Sequence, residues 1–375
     1  MSKKIAIITP AYPLRGGIAA SGERLAKAFQ AEGNEVDIFS FSLQYPNFLF
    51  PGKTQFSDDA PPVDLTIHTT INSIQPLSWF STAHQIINYA PDIIVCRFWL
   101  PFMAPSTGTI LRRVKKKIPG VRIIGLIDNI VPHEKRFGDK QLAQYFAYAC
   151  DGFVVMSRSV EKEMLSFTEK RVVYIPHPIY DTYGEKTGRD ASLKYLNLPT
   201  DKRYILFFGF VRKYKGLDIL LEALTDVDVR ALNLTLLVAG EFYDDAQTYR
   251  DYINLHQLAD NVIIKSDFIA SDAVRYYFGA ADAVVQPYRT ATQSGISQMA
   301  YHFETPMIVT NVGGLSEIIP NGKVGFVVEP NADAIKQALI AFYKTDRNIF
   351  VEGVADEKKR FSWENMTSAI LDIGR

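Results

Sequence analysis

Short runs of β-branched and apolar residues alternate with longer helical patterns from one end of the chain to the other. No other feature constrains the fold as tightly. Strand candidates in the first half lie at 4–9, 35–40, 92–97, 121–127 and 152–156. The second half offers 204–209, 234–240, 262–265, 283–286, 307–310 and 325–328. These runs are apolar on both faces, which marks strands of a parallel sheet covered by helices on each side. Helical periodicity fills the intervals, for example at 19–31, 217–224 and 332–342. Such alternation predicts βαβ units and a doubly wound α/β architecture.

The alternation breaks once. Between Pro176 and Lys202 the chain is polar and rich in turn residues, with Pro176, Pro178, Gly184, Gly188 and Pro199, and one short helix candidate near Leu193. At 375 residues the chain is too long for a single ordinary core. The expectation is a first domain at 1–180, a linker and entry segment at 181–202, and a second domain at 203–355. A final segment at 356–375 is expected to carry a helix with Ser362 as N-cap and Glu364 in its first turn, packing back toward the first domain.

Charge and cysteine content narrow the setting. Lys plus Arg and Asp plus Glu both number 41, so the formal net charge is zero. A nucleic-acid binder usually shows a basic excess, so no nucleic-acid partner is expected. Cys96 and Cys150 both lie in apolar surroundings and read as small buried hydrophobes, not as a disulfide. The first residues begin like a signal peptide, but their apolar run is too short and ends in Thr9-Pro10, so a first strand explains them better. No stretch approaches the length of a membrane span. A reducing, cytoplasmic setting is the expectation.

Four loops follow strand candidates and could carry chemistry. The first, Tyr12 to Ala19, contains Gly16-Gly17, which either let backbone amides approach an anion at a helix start or simply make a strand-helix turn. Its spacing is not GxGxxG, so hydride chemistry gains no support. The second, Phe208 to Asp218, holds Arg212, Lys213 and Lys215 before a helix near Gly216. Two cations above a strand's C-terminal edge suit a diphosphate, and this reading is preferred to a solvated basic loop. The third, Gln286 to Ile296, ends in Ser294-Gly295 at a helix start, either as a second anion or sugar site or as ordinary capping by Ser294. The fourth, Thr310 to Glu317, brings the Glu317 carboxylate toward the same edge, as a ligand group or a helix-start acid.

Taken together and in this order, these segments resemble the retaining glycosyltransferases of family 4, which have the GT-B fold. The resemblance rests on Gly209 through Lys215-Gly216 to Asp218, on Thr292-Gln293-Ser294-Gly295, and on the run from Pro306 to Glu317. Gly16-Gly17-Ile18 and the closing Phe361-Ser362-Trp363 also fit. It implies two Rossmann-like domains facing a cleft, and transfer of a hexose-type sugar from a nucleotide-sugar, most readily a UDP- or GDP-sugar, to a glycan or lipid-linked acceptor. Arg212 and Lys215 would hold the donor diphosphate. Gly16 and Gly17 would approach the donor phosphates, and His133 the reacting sugar. The turn of Phe268 and Ile269 would meet the base. Many members carry two glutamates where this chain has Ala291 and Met299. Their contacts would fall to Gln293, to backbone amides at Ser294, Gly295 and Ile296, or to Glu317.

No cofactor and no metal are expected. The sole Asp-x-Asp, Asp226-Val227-Asp228, sits at a helix end and not after a strand, so side-chain cations and helix dipoles would stabilise the leaving diphosphate. Two other readings stay open: a sugar-nucleotide epimerase of the same architecture, and a non-catalytic sugar or nucleotide binder. A peripheral membrane contact is a further possibility. Phe98 to Met103 followed by Arg112 to Lys117 would suit an anionic bilayer surface, although a buried apolar segment before a solvated helix end is the preferred reading.

Overall fold

The structure, a computed structural model, describes residues 2–46, 55–57, 60–131, 137–267, 269–291 and 294–374. They form two compact units. Unit 1 comprises Met1–Pro176 with Trp363–Arg375, and unit 2 comprises His177–Ser362.

Unit 1 is built on β1 (Lys4–Ile8), β2 (Glu35–Leu43), β3 (Thr66–Asn72), β4 (Ile93–Phe98), β5 (Arg122–Ile127), β6 (Gly152–Val155) and β7 (Val172–Tyr174). All pair in parallel, in the order β3-β2-β1-β4-β5-β6-β7. Along β1 the side chains alternate between two cores. Ala6 and Ile8 enter one, and Ile5 and Ile7 the other. Both faces are therefore apolar, as expected for a sheet with helices on each side. The second core is closed by the chain's last helix, Trp363–Ile373, through Trp363, Met366, Ile370 and Ile373. Thr367 hydrogen-bonds Glu32, and Arg171 pairs with Asp372 at 2.6 Å.

Unit 2 contains β8 (Arg203–Phe208), β9 (Leu234–Ala239), β10 (Val262–Lys265), β11 (Ala283–Gln286), β12 (Met307–Thr310) and β13 (Gly325–Val328). These are also all parallel, ordered β10-β9-β8-β11-β12-β13. Tyr204, Leu206 and Phe208 face one core, and Ile205 and Phe207 the other. In both sheets the strand order reverses beside the first strand, between β1 and β4 and between β8 and β11. Crevices outside the carboxyl ends of strands open at such reversals.

Two strands escaped the sequence reading. β3 and β7 lie at the edges of the first sheet, and only Ile71 of β3 is fully buried. β3 has one paired neighbour and a thin cover, and its Thr66, His68, Thr69, Thr70 and Asn72 break the doubly apolar pattern of a central strand, while β7 is only three residues long. Residues 181–202, expected as linker and entry, are packed into unit 2. Their helix, Arg189–Leu196, buries Leu193. Arg189 donates to the Ala280 carbonyl and to Asp282, both at 2.8 Å. Turn residues mark a change of direction there, not a loose connection.

Candidate active site

In unit 2 the chain leaves β8 at Gly209, whose φ of 89° is a left-handed value that favours glycine. Residues Lys213–Lys215 then form a single tight 3₁₀ turn that ends at Gly216, φ 68°. A Cβ on Gly216 would lie 2.0 Å from the Pro287 carbonyl oxygen, so the loop after β8 touches the loop after β11 backbone to backbone. Arg289 fastens the same two loops. Its guanidinium forks onto Asp218 at 2.8 and 2.6 Å and donates to the Lys213 carbonyl at 3.0 Å. Burial pushes the Asp218 carboxyl up, but the Arg289 hydrogen bonds outweigh it and hold it below the usual carboxylate range.

This packing buries Lys215, which is 8 % exposed. Its Nζ lies 5.6 Å from the centre of the Tyr288 ring. No described residue offers its ammonium a carboxylate or a hydrogen-bond acceptor. Burial, and secondarily the charge of Arg212, lower its pKa from the usual 10.5 to about 8. Arg212 is half-buried and stacks over Tyr243 at 4.6 Å. Lys213 points to solvent. Two cations thus lie close together at the β8/β11 reversal with no acid paired to either among the described residues.

The β11 side adds a neutral polar lining. Ser294 precedes the helix Gly295–Phe303 but does not cap it. Its hydroxyl instead donates to Gln286 Oε1 at 2.6 Å, and Gln286 Nε2 donates to Ser297 at 2.9 Å. The Tyr288 phenol, held neutral because burial pushes it well above its ordinary range, hydrogen-bonds Ser294. The capping role considered for Ser294 is therefore corrected: Gln286 competes for its hydroxyl. The side chain of Ile296 reaches the Gly209 position, where a Cβ would lie 3.3 Å from its Cδ1.

In unit 1 the corresponding reversal carries Gly16, φ 110°, and exposed Gly17, at the start of the helix Gly17–Ala31. Its N-cap is Gly16, which has no side chain with which to cap it. Beneath it, Arg97 of β4 is 3 % exposed and forks onto Asp128 with two 2.7 Å hydrogen bonds. Arg97 Nη1 also donates to the Ile18 carbonyl at 3.3 Å. One buried guanidinium thereby ties the first turn of the helix to the ends of β4 and β5. Trp99 Nε1 donates to the Tyr45 hydroxyl at 2.5 Å.

Residues 15–182 match the model of Glycosyltransferase Family 4, and residues 202–345 match that of Glycosyl transferases group 1. The chain is a glycosyltransferase of the family 4 type. It is 22% identical over 397 residues to an uncharacterized glycosyltransferase of Methanocaldococcus jannaschii, covering 99% of this chain and 97% of that one. Among solved structures it is similar to a glycosyltransferase from Rickettsia africae, with a TM-score of 0.72, 20% identity, and coverage of 100% and 98%. It is also similar to Anabaena HepE in complex with UDP, with a TM-score of 0.71, 15% identity, and coverage of 99% and 98%. At these identities the structural likenesses establish the fold, which is GT-B.

Against the family expectations, Arg212, Lys215, Ser294, Gly295 and Ile296 converge at one sheet edge in unit 2. Gly16 and Gly17 occupy the equivalent edge of unit 1. Ile269 packs against the unit 2 core. Glu317 is half-buried after a 3₁₀ turn, Gly313–Leu315, and no helix begins there, which corrects its reading as a helix-start acid. His133, Phe268 and Gln293 lie outside the described residues. Asp226 stands at a helix end and not after a strand: it caps the start of Val227–Arg230 by accepting from the Asp228 amide at 2.9 Å. Ala291 and Met299, where many family members have glutamates, both belong to the apolar packing of unit 2.

Sequence reasoning missed the two forks, Arg289–Asp218 and Arg97–Asp128. Asp218 and Arg289 stood inside quoted motifs without a role. Arg97 had its own signal, a lone charge within the apolar run Ile93–Phe98.

Proposed function

We propose that the chain is a retaining glycosyltransferase that moves a hexose-type sugar from a UDP- or GDP-sugar to a glycan or lipid-linked acceptor, in the cytoplasm and without a metal. The observation that carries this reading is the buried side chain of Lys215, whose ammonium has no acid partner among the described residues, beside Arg212. A buried cation without a counter-charge is costly. An arriving diphosphate removes that cost and the mutual repulsion of the two cations together. As the bond from the sugar carbon to the phosphate oxygen breaks, negative charge grows on that oxygen, and both cations stabilise it. The likeness to a protein solved with UDP supports a nucleoside diphosphate as the anion. The replacement of two glutamates by Ala291 and Met299 favours one competing reading, a binder without turnover.

A panel of nucleotide-sugars separates these readings. Nucleoside diphosphate released on addition of acceptor extract, with the product sugar keeping its anomeric configuration, is the expected result. A changed sugar still attached to its nucleotide would mean epimerisation. Tight binding with no turnover would mean a binder.

Turnover is expected to survive EDTA. Among the described residues no group of three His, Cys, Asp or Glu side chains is placed to hold a metal, and Lys215 and Arg212 supply positive charge at the site. Activity lost on chelation and restored by magnesium or manganese would sink the metal-free mechanism.

A pH dependence follows from Lys215. Its protonated form binds the diphosphate, and in the empty site that form is depleted above about pH 8. Affinity for UDP or GDP should therefore be greatest near about pH 7, where the terminal phosphate (second pKa about 6) is largely ionised, and fall by up to about tenfold per pH unit above about pH 8. Calorimetric titration across this range checks it, and an affinity unchanged up to about pH 10 would remove Lys215 from the site.

A further inference from the structure

Within unit 1 the helices Pro76–Tyr89 and Ala104–Lys117 pack against each other on one side of the sheet. Their inner faces bury Thr82, Ala83 and Ile86 from the first, and Ile110, Leu111 and Val114 from the second. The outward face is unusual. Ile74 just before the first helix is 54 % exposed, Leu77 is 74 % exposed and Phe80 is 41 % exposed. Exposed apolar residues scattered singly need no explanation, but three neighbours at one helix end form a patch. Arg113 of the second helix lies over the Phe80 ring at 4.8 Å and continues the patch.

Charge completes the picture. No Asp or Glu occurs anywhere in 72–91 or 98–121, while the second helix carries Arg112, Arg113, Lys115, Lys116 and Lys117. Two of these are used internally. Arg112 donates to the Gly108 and Tyr145 carbonyls, and Lys115 to Val121 and Asp151. Arg113, Lys116 and Lys117 are exposed and have no acid partner among the described residues. The residues that the sequence placed beside these cations, Phe98, Trp99 and Met103, are buried, so the apolar part of the surface comes from the neighbouring helix instead.

We propose that this face, Ile74, Leu77 and Phe80 flanked by Arg113, Lys116 and Lys117, docks unit 1 on an anionic lipid bilayer. The aliphatic and aromatic side chains enter the headgroup boundary while the long cationic side chains reach the lipid phosphates. A nucleic acid would meet the cations but would gain nothing from Ile74 and Leu77. The chain's zero net charge gives no general attraction to anionic surfaces, so binding has to come from a local patch. No helix among the described residues is long and apolar enough to cross a membrane, so attachment through this face would be peripheral.

Co-sedimentation of the full chain with vesicles tests the proposal. Vesicles of one-third phosphatidylglycerol in phosphatidylcholine should bind about tenfold or more tightly than phosphatidylcholine alone, and added salt should weaken the binding. Joint replacement Arg113→Glu, Lys116→Glu and Lys117→Glu should abolish binding. Leu77→Ser with Phe80→Ser should cut it by about tenfold. All of these side chains are exposed, so the variants should fold, which circular dichroism confirms. Binding of UDP or GDP should be unchanged in both variants, so failure here leaves the proposed glycosyl transfer untouched. Equal binding to neutral and anionic vesicles, no binding to either, or charge reversal without effect would overturn the proposal. Binding to RNA in place of vesicles would overturn it as well.

Discussion

Replacing Lys215 by alanine is expected to lower kcat by about a hundredfold, and to weaken donor binding less. A charge-assisted contact to a buried oxyanion strengthens as charge develops, so its loss falls mainly on the transition state, at a few kcal/mol. Arg212→Ala should behave similarly. The double mutant should lose less than the product of the two, because both cations act on one diphosphate. Lys213→Ala is the control, since that side chain faces solvent. Stability should move the opposite way from activity. The drop in the Lys215 pKa from 10.5 to about 8 corresponds to roughly 3 kcal/mol spent on holding a buried charge near neutral pH. Lys215→Met keeps the stem's packing and removes the charge, so it should melt higher than the wild type while being nearly inactive. Measuring kcat, KM and melting temperature for all of these variants separates the possibilities. A silent Lys215 together with a critical Lys213 would show the wrong loop register. A Lys215→Met protein that melts lower would show that the ammonium is already neutralised in the empty protein.

Arg97→Met is expected to destabilise the protein by about 3–5 kcal/mol, because it strands the Asp128 carboxylate in a mostly buried place. For a unit of this size that is a fall on the order of ten degrees in melting temperature. The double variant Arg97→Met with Asp128→Asn should recover more than half of the loss, since the uncompensated charge is gone. Turnover should not recover with it, because the tie from Arg97 to the Ile18 carbonyl under the Gly16-Gly17 turn is still missing. Denaturant unfolding of both variants checks this, and an Arg97→Met protein within about 1 kcal/mol of wild type would show that the fork is not a brace.

Central strands were legible from residues alone. β1, β4, β8 and β11 are apolar at nearly every position that must meet a helix layer, and that pattern survives any tertiary arrangement. Lys215 and Arg212 were legible because a strand, a glycine and cations at that spacing put charge above a sheet's carboxyl edge whatever surrounds it. β3 was not legible because most of its residues are polar, and β7 because it is only three residues long, so each is recognised as a strand only by its pairing in the assembled sheet. The two arginine forks were hidden for a related reason. Arg97 and Asp128 stand 31 residues apart, and Arg289 and Asp218 stand 71 apart. Local sequence determines which side chain leaves a strand end and in which direction. Pairing across a sheet reversal is decided by tertiary packing, which alone brings loops from distant strands into contact and removes the water between them. The same packing turned Lys215 from one cation among three into the buried one, with no acid partner among the described residues.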